Sequence, residues 1–414
     1  MSKDKLGRSR WVEWGVTAVL AIIVIGLQSY FLYQIYTTQF PGANDFLARW
    51  SNGCAYFWDG INPYSDEATL QTQMRMYGRP AELGEDLAAF SYPLYTLFFF
   101  VPLCAIRDYA VVQAIWMSLM IVAVVAGTAL MMPAARWQPN KPLLVGILVW
   151  TILVYPHLRA IILGQMATVV FVALALCLLA MQKKLDFWAG VALAVATLKP
   201  QMTYLVVPWL LLWSGYQRRW SLWVGFTVNM VLMSGVALLL VPTWPLDFIN
   251  AIRNYDTVAG LSNYHSLIWM VTRRMWDLGA SVEYVVTIGF YLYLIFEWWQ
   301  NRDSGESGFL WTTGLTFNLT QFVAYRIATT SYTILLLPLF QIFALVQRKQ
   351  AGWRGWVIIV ATLLFLFVGQ WGIFLATRDG NFETIPAYLL LPISLFVAQI
   401  VSRRYLVRAE GSAE

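Results

Sequence analysis

Histidine and cysteine are scarce: His157 and His265 are the only two histidines, and the three cysteines stand far apart at 54, 104 and 177. Two histidines make a zinc or haem site a poor expectation. The cysteine positions give neither metal-ligand spacing nor a disulfide framework. Charge is also in short supply, with only 12% Asp, Glu, Lys and Arg against 59% hydrophobic residues, where a soluble domain would carry about 25% charged residues. That balance excludes an ordinary soluble enzyme. No glycine-rich phosphate loop is present, which removes nucleotide-binding classes, and no internal repeat or low-complexity linker breaks the chain.

Long apolar runs are what the sequence has in place of charge. A span takes about 20 apolar residues, and backbone polar groups in lipid must be bonded within their own segment, so the spans are expected to be helices. The expected fold class is an all-α polytopic membrane protein with about twelve transmembrane helices, forming one domain over residues 1–414. The net charge of +6 sits in short clusters between apolar runs. Such clusters fit membrane topology, with basic residues on the cytoplasmic side, better than nucleic-acid binding. Residues 1–10 hold Lys3, Lys5, Arg8 and Arg10 and are expected in the cytoplasm, ahead of an uncleaved first span from Trp11 to Ile35. The tail, 403–414, with Arg403, Arg404 and Arg408, is expected on the same side.

The polar stretch 37–107 then becomes the first extracytoplasmic loop. It is rich in carboxylates and aromatic residues, and two juxtamembrane helices are expected in it, one from Asp45 to Phe57 and one from Tyr92 to Ile106. Asp45, close to Phe46, Trp50 and Trp58, can serve as a general base for a hydroxyl, or it can cap the helix it begins. Lys199 lies in the turn of an apolar hairpin, Phe187 to Leu198 and Met202 to Trp213. A lysine there costs about 3 kcal/mol on insertion scales unless it finds an anion, and Pro200 beside it breaks the helix. A lipid phosphate and a structural ion pair are both open readings. Gly164-Gln165 can present an amide to phosphate or sugar, or can be plain capping. Arg159 and Arg326 are candidates for gripping phosphate oxygens, with interfacial anchoring as the alternative. His157, His265 and Tyr64 are candidate acceptor or proton-relay groups.

The ordered set Asp45-Phe46, Asn62-Pro63-Tyr64, Tyr92-Pro93, Leu163-Gly164-Gln165, Ala189-Gly190 and Leu198-Lys199-Pro200-Gln201 resembles glycosyltransferase family 87, whose members belong to the GT-C class and include polyprenol-phosphate-mannose-dependent mannosyltransferases. The resemblance covers residues 40–220 well and the remainder in hydropathy alone. It implies a GT-C fold, a catalytic aspartate at Asp45, and donor phosphate or sugar contacts from Lys199, Gln201 and Gln165, with Tyr92 in the wall. The chain departs from the pattern at Leu94, where a second proline is common, and at Met166 and Ala167, where an asparagine is common. A late polar cluster stands at Tyr325-Arg326 and Thr329-Thr330-Ser331-Tyr332.

Together these features lead to the expectation of an inverting glycosyltransferase of the cell membrane. It would move a hexose, mannose first among them, from a polyprenyl-phosphate donor to a lipid or glycan acceptor on the extracytoplasmic side. Membrane lipids are its expected surroundings and nucleic acid is not a partner. No cofactor is implied, and one loop carboxylate is too little to define a divalent-cation site, so metal dependence is left open. The rival readings are a transporter or flippase of lipid-linked sugars, for which paired broken helices in repeated halves are usual, and a polysaccharide polymerase or ligase.

Overall fold

The computed structural model describes residues 3–40, 42–82, 85–259, 265–350, 352–380 and 383–407, and all the regular elements among them are helices. Arg408 and the rest of the expected cytoplasmic tail, 408–414, lie outside the described residues, as do Met1 and Ser2 and the side chains of Lys3, Lys5, Arg8 and Arg10.

Helix α1 (Lys3–Leu32) runs on through a π-helical turn, Tyr33–Thr37. The first polar loop then folds into α2 (Asn44–Asp59) and α3 (Asp66–Tyr77). Proline at 93 and 102 keeps the next apolar stretch from forming an α-helix. In place of the juxtamembrane helix expected from Tyr92 to Ile106 there are two 3₁₀ turns, Leu94–Phe99 and Val101–Ala105. Asp108 caps α4 (Tyr109–Ala134) by accepting from the Ala110 and Val111 amides. Helices α5 (Lys141–Leu153) and α6 (Tyr155–Leu163) form one stroke bent by 54°, as Pro156 at the start of α6 requires. After α7 (Ala167–Gln182) comes the broken hairpin of α8 (Asp186–Ala196), the single turn α9 (Pro200–Thr203) and α10 (Val206–Tyr216). Helix α11 (Trp220–Leu240) leads to α12 (Trp244–Ala259), the short α13 (Leu267–Trp269) and a π-helical turn, Met270–Met275. The chain closes with α14 (Ala280–Asn301), α15 (Glu306–Val323), a 3₁₀ segment Thr329–Leu335, α16 (Leu336–Lys349), α17 (Trp353–Thr377) and α18 (Pro386–Val407).

Seven of these helices are long and apolar enough to cross a membrane, or eight if the bent α5–α6 pair counts as one span. The expected count of about twelve would also take in helices that fall short of that length and apolarity. Helices α7, α8 and α10 are apolar but shorter than a span. Helix α15 is long enough but carries Thr312, Thr313, Thr316, Asn318, Thr320 and Gln321, all buried.

Two groups of helices build the bundle. In the first, α1, α4, α7, α8 and α11 pack side by side in that order, and in the second α14, α16 and α18 gather around α15 while α17 packs outside on α16 and α18. Helix α16 reaches α4, and α10 packs on both α11 and α15, which closes the two groups on each other. Within lipid no hydrophobic effect draws helices together, so close backbone approach and polar contacts carry the association. Glycine supplies the approach at α8 and α11: a Cβ on Gly190 would lie 2.0 Å from the Leu222 carbonyl oxygen, and one on Gly225 2.0 Å from that of Phe187. Side chains bonded to α15 supply the polar contacts. Trp209 of α10 donates to Thr313 and Trp298 of α14 to Thr316, both at 2.9 Å, and Asn318 donates to Gln399 of α18 at 3.0 Å.

The loop elements α2 and α3 and the two 3₁₀ turns cover one end of the bundle. Contrary to the expectation from cysteine positions, this layer holds a disulfide. Cys54 of α2 and Cys104 of the second 3₁₀ turn form a disulfide with their Cα atoms 5.3 Å apart; the two cysteines are fifty positions apart, and linear spacing carries no information on that approach. Cys177 remains a buried free thiol.

Candidate functional site

Asp45 occupies the first turn of α2, where the helix dipole favours a carboxylate. It does not cap the helix: the cap position is Ala43, in left-handed conformation, with no side-chain bond. One helical turn on, Arg49 lies on the same face. Its guanidinium donates to the Asp45 carbonyl and approaches Oδ1 at 3.3 Å. The same guanidinium lies 4.2 Å from the centroid of the Tyr92 ring, so the arginine is held between a carboxylate and an aromatic face. Its side chain is 10% exposed and that of Asp45 26%, which leaves the carboxylate the more open of the pair.

Gln165 meets Asp45 from the junction of α6 and α7. Its Nε2 donates to Asp45 Oδ2 at 2.5 Å, while its Oε1 accepts from Lys199 Nζ at 3.0 Å. Only one orientation of the amide satisfies both neighbours, since the flipped group would set oxygen against carboxylate and N–H against ammonium. The preceding residue explains how the amide gets there. Gly164 has φ +66°, and a Cβ on it would fall 2.5 Å from Phe46 Cβ and 3.0 Å from Trp116 Cδ1. Phe46 stacks on Trp116 with centroids 5.0 Å apart, and the Trp116 indole donates to the Gly164 carbonyl at 3.0 Å. Glycine therefore lets the α6–α7 turn lie flat on α2, and that contact presses Gln165 against Asp45.

Lys199 enters from the break between α8 and α9. The residue before a proline is steered out of the helical region, and Lys199 has φ −124° and ψ 83°. The carbonyl groups freed by the break are taken up locally: the Thr203 hydroxyl donates to Ala196, and the Met202 amide to Lys199. Lys199 is 3% exposed, yet among the described residues its ammonium bonds only to the Gln165 oxygen. An ammonium has three donors, so this buried cation retains unused hydrogen-bonding capacity. Tyr95 fastens the same break to the loop through a 3.1 Å contact between its hydroxyl and that of Thr197.

Of the other residues singled out in the sequence, Tyr92 lies at the site and is buried. Tyr64 supports it from behind by donating to the Tyr92 carbonyl at 2.5 Å. Burial pushes the Tyr64 phenol well above its ordinary pKa, and the nearby Asp247 carboxylate adds to the shift. Such a phenol holds its proton at neutral pH and acts here as a strut. Asn62 ties the loop to α12 by donating to Asp247 at 3.0 Å. Gln201, half-buried on α9, makes no side-chain hydrogen bond among the described residues.

The remaining candidates belong to neighbouring contacts. Arg159 lies beside Glu383 with Nε 3.3 Å from Oε1, and Tyr155 and Thr329 also donate to that carboxylate oxygen. The guanidinium expected to grip phosphate thus already faces a protein carboxylate. His157 is buried, with Nδ1 2.9 Å from the Thr151 carbonyl, and does not lie in an open loop. His265 lies tilted against Trp269 at 4.0 Å and meets Tyr325 edge-on at 5.4 Å. Arg326 follows in left-handed conformation at φ +56°.

Sequence reasoning gave no role to Arg49, Glu383 or Asp247. Arg49 was open to discovery through its spacing of four from Asp45 on a helix. Nothing local connects Glu383 with Arg159, or Asp247 with Asn62.

A helical bundle with seven or more span-length apolar helices, whose covered end holds a carboxylate, an amide and a buried ammonium in series, defines an integral membrane protein of the multi-pass class. The model of glycosyltransferase family 87 matches residues 90–319, more than half of the chain, and the chain belongs to that family. It is therefore a membrane glycosyltransferase. The match starts later and runs further than the resemblance read from motifs, taking in Tyr92, Gln165, Lys199 and Gln201 but not Asp45. No curated protein matches the chain.

Proposed function

We infer that the enzyme moves a hexose, mannose being the expected sugar, from a polyprenyl-phosphate donor to the hydroxyl of a lipid or glycan acceptor, with Asp45 as general base. The observation that carries this reading is the series Lys199, Gln165, Asp45, which sets a cation with unspent donors one amide away from a partly open carboxylate. In the proposed step the acceptor oxygen attacks the anomeric carbon as Asp45 takes its proton. The new C–O bond forms while the bond to phosphate oxygen breaks, and polyprenyl phosphate leaves from the opposite face with inversion.

Charge gathering on the departing phosphate is what a preorganised cation stabilises best, which is the role proposed for Lys199. Arg49 orients the base, and Gln165 fixes the spacing between the two charges. Arg159 and Arg326 are candidates for outlying contacts to donor or acceptor, as are Gln201 and His265. The disulfide favours the extracytoplasmic side for this end, because such bonds persist in oxidising compartments. Arg136, Lys183, Lys184, Arg218, Arg219 and Arg302, which cluster where α4, α7, α10 and α14 end, favour the cytoplasm for the other.

The test is purified protein in liposomes with labelled polyprenyl-phosphate-mannose and candidate acceptors. Asp45→Asn is expected to lower transfer by about 10² to 10⁴, the usual worth of general-base assistance, while donor binding persists. Near-normal turnover by that variant would remove Asp45 as the base. Lys199→Ala is expected to weaken donor binding as well as rate, and unchanged donor affinity would take Lys199 out of the site. Donor moved across the bilayer with no covalent product would favour the transporter reading.

A further inference from the structure

A second cationic feature lies on the loop layer, away from the Asp45 series. Arg75 of α3 and Arg107, which follows the second 3₁₀ turn, approach one indole, with guanidinium carbons 5.0 Å and 5.2 Å from the Trp58 ring centroid. Arg75 also lies 5.9 Å from Trp50. Two like charges drawn onto one ring repel each other. Accordingly, partial burial and then the charge of Arg107 pull the Arg75 pKa down, with Asp59 acting in the opposite sense. Both arginines are exposed, and among the described residues neither forms an ion pair.

The platform beneath them is fixed. The Trp58 indole donates to the Cys104 carbonyl at 2.7 Å, Trp50 packs edge-on against Trp58 at 5.2 Å, and the Cys54–Cys104 bond joins α2, which carries both tryptophans, to the 3₁₀ turn that precedes Arg107. Position narrows the chemistry of what binds. Arg107 stands two residues before α4, a span-length apolar helix, with Asp108 between them occupied in capping it. The pair therefore sits at the level where a span meets lipid headgroups. Phe57, Val101 and Pro102 close by are exposed, offering apolar contact to acyl chains.

We propose that Arg75 and Arg107, set on Trp58, form a binding site for the phosphate of an anionic lipid at the membrane surface. Guanidinium forks match phosphate oxygens bidentately, and two of them facing one anion relieve their mutual repulsion. The site does not depend on the catalytic reading of Asp45 and can be tested without measuring sugar transfer.

Full-length protein, delipidated in detergent, is titrated with phosphatidylglycerol, diacylglycerol and glycerol 3-phosphate, and the tightest-bound lipid is followed by native mass spectrometry. Phosphatidylglycerol is expected to bind while diacylglycerol, which lacks the phosphate, does not. The double variant Arg75→Gln with Arg107→Gln is expected to lose at least about ten-fold in affinity for the first phosphatidylglycerol, in line with the loss of charge-assisted bonds. The corresponding double lysine variant is expected to recover part of that loss, because lysine keeps the charge without the fork. A thermal melt of each variant shows that the fold is intact. The proposal is overturned if the folded glutamine variant binds phosphatidylglycerol as the wild type does, if diacylglycerol binds equally well, or if equimolar glycerol 3-phosphate displaces the lipid.

Discussion

Gly164 shows how much of the site depends on one missing methyl group. Its left-handed φ and the 2.5 Å approach to Phe46 act together, so Gly164→Ala must both strain the turn and lift it off α2. Strained backbone of this kind costs about 1–3 kcal/mol. The variant is expected to melt at lower temperature in detergent and to lose transfer activity, because Gln165 moves away from Asp45; an unchanged melting curve would contradict the packing. Arg49 allows a different separation. Arg49→Lys keeps the charge but gives up the planar contact with Tyr92 and the geometry of its fork. A fall in turnover with donor affinity retained is the expected signature of a group that orients the base, and loss of donor binding would instead place Arg49 on the donor.

At the scale of elements, α2 carries Asp45 and Arg49 and is fastened to its neighbours by apolar burial and a disulfide. Phe46, Trp50 and Cys54 are fully buried on one side of it. In a water-facing layer each large side chain contributes about 1.5–3 kcal/mol by leaving solvent. The disulfide closes a loop of some fifty residues, for which chain entropy suggests a contribution of about 4 kcal/mol. Cys54→Ser is therefore expected to lower the melting temperature more than Cys177→Ser, whose thiol bonds nothing covalently, and equal effects would argue against the bond in solution. The hairpin of α8 makes a separate prediction. Gly190→Leu has no room against the Leu222 carbonyl, so it is expected to force α8 from α11 and reduce folded yield, as measured by size-exclusion chromatography.

Elements and site were not equally legible in the sequence. The Lys199-Pro200 break, the Gly164-Gln165 turn and the amphipathic α2 are local signals, since proline, left-handed glycine and helical periodicity act on their own neighbours. The arrangement that joins them is not local: Asp45 and Gln165 are brought together by the stack of Phe46 on Trp116 and by the α4–α7 contact. The juxtamembrane helix expected over Tyr92 to Ile106 is instead two 3₁₀ turns, divided at Phe100 just ahead of Pro102. The cysteine pair was illegible because three thiols give no sign of which two will meet.

For the whole molecule, hydropathy identified the class of protein without effort, since lipid demands helices with apolar outer surfaces. The number of crossings is less legible, because short or polar helices stand among the long apolar ones. Helix α15 is buried along its length and polar along much of it, a composition that reads as a poor span and behaves as the axis of the second group of helices. Asn318→Leu removes its bond to Gln399 at a cost of about 1 kcal/mol, as for polar contacts between membrane helices generally. A shift in thermal stability with transfer kinetics unaltered is the expected outcome. Sidedness belongs to this scale too. In a Cys177→Ser background, Glu67→Cys, at an exposed position of α3, is expected to react with a membrane-impermeant maleimide on intact cells, and labelling only after the membrane is opened would turn the molecule over.

The amide at position 165 has an effect that its modest size conceals. A buried ammonium and a facing carboxylate with nothing between them would close into a direct pair and spend themselves on each other. A neutral group with a positive and a negative end can greet both and cancel neither. By standing between Asp45 and Lys199, Gln165 acts as an insulator, and under the proposed mechanism this leaves the anion free to receive a proton and the cation free to welcome a phosphate.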